Sequence, residues 1–95
     1  MALPKFLQPC LASYDLSKMD KKLDKKTIIT EILNKGDDVA VRWLGKNYTQ
    51  EEIKAVVASP TRGMWLESIL TYWLKIFDIK LSEDVFKRAI INLSP

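Results

Sequence analysis

The stretch Met64 to Phe77, MWLESILTYWLKIF, decides the fold. At about 100° per residue, Trp65, Leu66, Ile69, Leu70, Trp73, Leu74, Ile76 and Phe77 spread over roughly half of a helix circumference. Glu67, Ser68, Thr71 and Lys75 share the remaining arc. A surface helix of a globular domain carries an apolar stripe nearer to about 100° wide. The surplus predicts either the central helix of a small bundle or a helix that covers both its own core and a second chain.

Outward from that stretch, the punctuation is that of further short helices. Thr61-Arg62-Gly63 precedes it and Asp78-Ile79-Lys80-Leu81 reads as a link. Ser82 then caps a C-terminal helix over 82–93, with Val85, Phe86, Ala89 and Ile90 inward. On the other side, Thr49-Gln50-Glu51-Glu52 is a capping box that opens a helix carrying Ile53, Val56 and Val57 and ending at Ser59-Pro60. Before it, Asp37 or Asp38 starts a helix with Val39, Ala40, Trp43 and Leu44 inward, stopping near Gly45. An earlier helix runs from Asp20 or Asp24 to Lys35, with Ile28, Ile29, Ile32 and Leu33 on one face and Gly36 placed for a left-handed cap. Residues 1–20 read as one N-terminal turn and an irregular segment pinned by Leu16 and Met19. No strand-like alternation competes. The expectation is an all-α fold: one domain over 1–95, a bundle of about five short helices around the central Trp-rich one.

Composition narrows the class. Of 95 residues, 47% are hydrophobic and 28% charged, which excludes a disordered chain. The longest apolar-rich stretch is too short to span a bilayer and contains Glu67 and Lys75. The N-terminus lacks the sustained apolar core of a signal peptide, so a cytoplasmic, non-membrane protein is expected. A lone Cys10 allows no intrachain disulfide. The net charge is +3, and the excess comes from residues 20–26, DKKLDKK, where two Lys pairs alternate with aspartates. Interleaved carboxylates offset much of that field, so the segment reads as a solvated helix entry.

The catalytic repertoire is thin. There is no histidine, which removes the commonest general base and most zinc sites. The three glycines, at 36, 45 and 63, stand far apart and cannot form a phosphate-cradling loop. The pairs Asp37/Asp38, Glu51/Glu52 and Glu83/Asp84 each fall in the first turn of a helix, where capping explains them. No catalytic, cofactor or metal residue is assigned, and the chain is read as a non-enzyme that needs no cofactor.

Two binding signals remain. The helices on either side of Gly45-Lys46-Asn47-Tyr48 have helix-turn-helix proportions, but Glu51 and Glu52 would carry the wrong sign towards DNA. The stronger signal is the broad apolar face. Arg62, Trp65 and Tyr72 near its edges are residue types that anchor protein interfaces, and Ile91 lies off the C-terminal stripe beside them. Arg62, Trp65, Tyr72 and Ile91 are therefore the candidate partner-binding residues.

The motifs Leu3-Pro4-x-Phe6-Leu7 and Asp15-Leu16-Ser17-Lys18-Met19-Asp20 carry a resemblance, which continues through Ile28-Ile29-x-x-Ile32-Leu33-x-x-Gly36-Asp37 and Ala40-x-Arg42-Trp43-Leu44 to Tyr48, Glu52-Ile53-Lys54 and Tyr72-Trp73. Over residues 3–79 the chain resembles a small uncharacterised bacterial family whose members are often encoded beside nucleotidyltransferase-type toxins of abortive-infection systems. Leu11, Ala12 and Ser13 stand where that family usually has Phe-Trp-Asp. The resemblance implies a fold and no catalytic residues. The expectation is thus a protein-binding module, an antitoxin or accessory partner of such a toxin, acting as a homodimer or on a different protein. The alternative is a small helix-turn-helix-like DNA-binding regulator.

Overall fold

A computed structural model describes residues 3–91. Five α-helices follow two single 3-10 turns, at Lys5–Leu7 and Leu16–Lys18. They are α1 (Lys25–Lys35), α2 (Asp38–Asn47), α3 (Gln50–Ala58), α4 (Glu67–Ile76) and α5 (Glu83–Ala89). The all-α bundle expected from the sequence is present.

Its centre is α1, which corrects the expectation of a central Trp-rich helix. Every residue from Ile28 to Asn34 is buried, whereas α4 buries only Leu70 among its ten. The N-terminal segment contributes to the same core: Leu3, Leu7, Cys10, Leu11, Leu16 and Met19 are buried in one cluster with Ile28, Ile29, Ile32 and Leu33 of α1.

Local chemistry sets the helix ends. Asp20 Oδ1 accepts the N–H groups of Lys22 at 2.7 Å and Leu23 at 2.8 Å, while Asp24 Oδ2 accepts that of Asp20 at 2.8 Å. This turn delays α1 until Lys25. Gly36 ends the helix with φ −75°, so it is extended and not the left-handed cap expected. Close packing demands the glycine: a Cβ there would stand 2.6 Å from the Ile32 carbonyl oxygen. Asp37 caps α2 by accepting the Ala40 N–H at 3.0 Å. α2 runs through Gly45, where it was expected to stop, to Asn47, whose side chain donates to the Trp43 carbonyl at 2.8 Å. Val39, expected inward, is exposed. The capping box on α3 is formed as expected: the Thr49 hydroxyl accepts from Glu52 N–H at 3.1 Å, and Glu52 Oε1 accepts from Thr49 N–H at 2.9 Å.

The largest correction concerns Met64, Trp65 and Leu66. They are extended, not helical. Trp65 N–H donates to the Ala89 carbonyl at 2.9 Å, Ile91 N–H donates to the Trp65 carbonyl at 2.8 Å, and Trp65 pairs with Ile90 in an isolated parallel bridge. On the other flank, Asn34 Nδ2 donates to the Met64 carbonyl at 2.9 Å and Asn34 Oδ1 accepts the Leu66 N–H at 3.1 Å. The same pairing ends α5 at Ala89, short of the expected Leu93; residues 92 and 93 lie outside the described residues. Of the inward set proposed for α5, Ala89 is buried, Phe86 and Ile90 are half-buried, and Val85 is exposed.

Candidate functional site

The four residues singled out from the sequence end in different places. Trp65 is fully buried, so it belongs to the core and cannot touch a partner; its extended backbone turns it inward beside Leu70 and Ala89 in one cluster. Ile91 is half-buried and joined to Trp65 by the backbone bond above, at the margin of a shallow depression with Phe86 and Ile90. Arg62 is exposed in the turn before Gly63. Tyr72 is exposed on α4.

Tyr72 has exposed neighbours from the surplus apolar arc. Leu66, at the cap of α4, and Ile76 are exposed with it, and Ile69 and Trp73 are half-buried. Ile69, Tyr72, Trp73 and Ile76 follow i, i+3, i+4, i+7 spacing and so share one helix face. The Tyr72 ring stands edge-on to Trp73 at 5.1 Å between centroids, and Trp73 stacks on Phe77 at 5.9 Å. An aromatic row therefore underlies an apolar face that the chain's own core does not cover. The signal that could have found Leu66 and Ile76 was the surplus apolar arc itself.

A second feature is a cleft of about 880 Å³ with a mixed apolar and charged lining, in which three lysines face two carboxylates. Its walls come from Leu3 and Pro4, from the Asp20–Lys25 turn, and from Trp43, Asn47, Tyr48 and Glu52 at the α2–α3 junction. Tyr48 organises it. The buried ring donates its hydroxyl to the Lys21 carbonyl at 2.7 Å, meets Trp43 edge-on at 6.1 Å, and carries the Lys21 ammonium 5.8 Å from its centroid. Burial, and then the charges of Glu52, Asp20 and Asp24, push the Tyr48 phenol up to about 12. Backbone N–H groups of Leu23 and Lys22 hold the Asp20 carboxyl below its ordinary range, and the Thr49 N–H with Lys25 does the same for Glu52.

Cys10 offers no nucleophile. It is buried, and burial raises its thiol pKa, with the negative charges of Asp37 and Glu31 adding to the effect. Among the described residues, no three acidic or thiol side chains converge as a metal site would need. No helix among them is long and apolar enough to cross a membrane.

The model of a family of unknown function, DUF6922, matches residues 6–57, more than half of the chain. The chain belongs to that family. No curated protein and no solved structure matches it. The matched segment holds the 3-10 turns and α1 to α3, with most of the cleft around Tyr48; α4 and α5 lie beyond it.

Proposed function

We propose that this chain is a non-enzymatic protein-binding module that docks a partner on the outer face of α4. The observation that carries the reading is the exposure of Leu66, Tyr72 and Ile76 beside half-buried Ile69 and Trp73. Scattered apolar residues on a surface are ordinary, but a contiguous row over an aromatic underlayer is the composition of an interface centre. Covering Ile76 or Tyr72 would contribute roughly 1.5–3 kcal/mol each by area. The partner we propose is a nucleotidyltransferase-type toxin of a bacterial abortive-infection system, in the cytoplasm, on the strength of the family resemblance. The DNA-binding alternative is weaker, because exposed Glu51 occupies the first turn of α3, where phosphates would approach.

Co-purification from the native host, with and without Tyr72→Asp plus Ile76→Asp, tests the reading. Both side chains are exposed, so circular dichroism should be unchanged. A nucleotidyltransferase held by the wild type and lost from the double variant is the expected result. A toxin retained equally by both, or a protein that binds duplex DNA with a steep salt dependence and no protein, would overturn it.

A further inference from the structure

We propose that the cleft around Tyr48 binds a free nucleotide, its phosphate on Lys21 and Lys22 and its base against Trp43. The site is distinct from the α4 face, and the inference does not rest on the protein-docking reading. Three features of the cleft combine to select this ligand.

The first is size. A cleft of about 880 Å³ lies within the usual range of small-molecule sites and far exceeds what an inorganic anion fills. The second is the disposition of charge. Lys21, Lys22 and Lys25 line the cleft against Asp20 and Glu52, a balance of one positive charge. The two carboxylates are already engaged. Asp20 Oδ1 takes the N–H groups of Lys22 and Leu23. Glu52 takes the Thr49 N–H with one oxygen and Lys25 Nζ, at 3.3 Å, with the other. Among the described residues, Lys21 and Lys22 have no carboxylate at ion-pair distance, so their donors remain for a ligand. Both lysines line the cleft from one hydrogen-bonded turn, and a phosphoryl group offers several acceptor oxygens to such donors.

The third feature is an aromatic wall coupled to those cations. Trp43 is half-buried, so part of its indole remains open to a ligand, and its edge-to-face contact with Tyr48 limits its motion. Tyr48 in turn holds the backbone of Lys21 by the 2.7 Å bond. A base stacked on Trp43 would therefore meet a phosphate site fixed to the same scaffold. Stacking on an aromatic side chain tolerates any base, because every base presents a π face. Asn47 also lines the cleft; its Nδ2 is spent on the Trp43 carbonyl, which leaves Oδ1 to accept from a base amino group.

Titration of the full chain with AMP, followed by calorimetry and tryptophan fluorescence, tests the assignment. AMP should bind and quench, and adenosine and inorganic phosphate should each bind at least about ten-fold more weakly, since each lacks half of the recognition. Lys21→Gln with Lys22→Gln should weaken AMP at least about ten-fold, as expected for loss of charge-assisted hydrogen bonds. Both lysines are exposed, so the fold should survive. Trp43→Phe should abolish most of the quench while AMP still binds. No binding of AMP, GMP, CMP or UMP at millimolar concentration would overturn the proposal. So would equal affinity in the lysine double variant, equal affinity for an acidic peptide, or binding of single-stranded oligonucleotides without mononucleotides.

Discussion

Asn34 grips the backbone of Met64 across thirty positions of sequence, donating Nδ2 to its carbonyl at 2.9 Å while its Oδ1 receives the N–H of Leu66 at 3.1 Å. The side chain copies the edge of a β-strand from within a helix. That clamp, with the pairing to Ala89 and Ile91 on the other flank, keeps Met64 to Leu66 extended and turns Trp65 into the core. Asn34→Ala leaves the Met64 carbonyl and the Leu66 N–H, both in a part-buried place, without their side-chain partner, at up to roughly 1–3 kcal/mol each. We expect a loss of about 2–4 kcal/mol in urea unfolding with little change in helix content. A loss well below 1 kcal/mol would mean that water replaces the amide at no cost.

Two glycines should respond in opposite directions. Gly36→Ala forces a methyl against the Ile32 carbonyl at 2.6 Å and crowds Ile32 Cγ2 and Ala40 Cβ near 3 Å. The junction of α1 and α2 must then open, at a cost of about 1–3 kcal/mol, as for other overpacked sites. Gly45 sits inside α2 with nothing within 4 Å of where a Cβ would stand. There, Gly45→Ala should stabilise by about 0.5–1 kcal/mol through helix propensity alone. Thermal melts of the two single variants decide; shifts of the same sign would contradict the packing described.

What the sequence revealed and what it concealed divides by distance along the chain. The Thr49–Glu52 box, the Asp37 cap and the Ser82 cap are i to i+3 events, and all three are present. The end of the Trp-rich stretch nearest Gly63 is not legible in sequence, because apolar periodicity cannot separate a helical turn from an extended segment packed on both sides. The residues that fix it as extended, Asn34 and Ala89, are more than twenty positions away. The same holds for the cleft, which gathers Lys21, Trp43 and Tyr48 from separate segments. Its lysines looked neutralised in sequence, whereas the fold directs Asp20 and Asp24 to backbone N–H groups. The surplus apolar arc of α4 was legible, although Trp65 proved to be no part of it.

Tyr48 should make stability fall in strong base. Its phenol is raised in the folded state, to about 12, from an ordinary value of 10.0. A folded pKa above the unfolded one favours the protonated form on folding. The contribution is therefore fully present below pH 10 and declines as pH rises towards 12. Tyr48→Phe removes the bond to the Lys21 carbonyl, so at neutral pH it should cost about 0.5–1.5 kcal/mol. In urea unfolding across alkaline pH, wild type should lose stability faster than the variant. Parallel profiles would remove Tyr48 as the titrating group.

Asp78 is the residue whose replacement should strengthen the fold. It has φ 52°, the only positive value among the described non-glycine residues, and it follows the last turn of α4. Asp78 N–H donates to the Lys75 carbonyl at 3.2 Å and Ile79 N–H to the Leu74 carbonyl at 2.9 Å, the pattern of a Schellman cap whose left-handed position is ordinarily glycine. Aspartate is unfavourable there on two counts. A Cβ resists the left-handed region, and a negative charge opposes the negative end of the helix dipole. Asp78→Gly relieves both and Asp78→Asn relieves the charge while tolerating the backbone, so each should stabilise by about 0.5–1 kcal/mol. Asp78→Ala relieves the charge but not the strain, and it should fall below the other two. The three variants, compared by urea midpoint at constant slope, separate the two effects. If glycine is no better than alanine, backbone strain at the end of α4 is not what limits this helix.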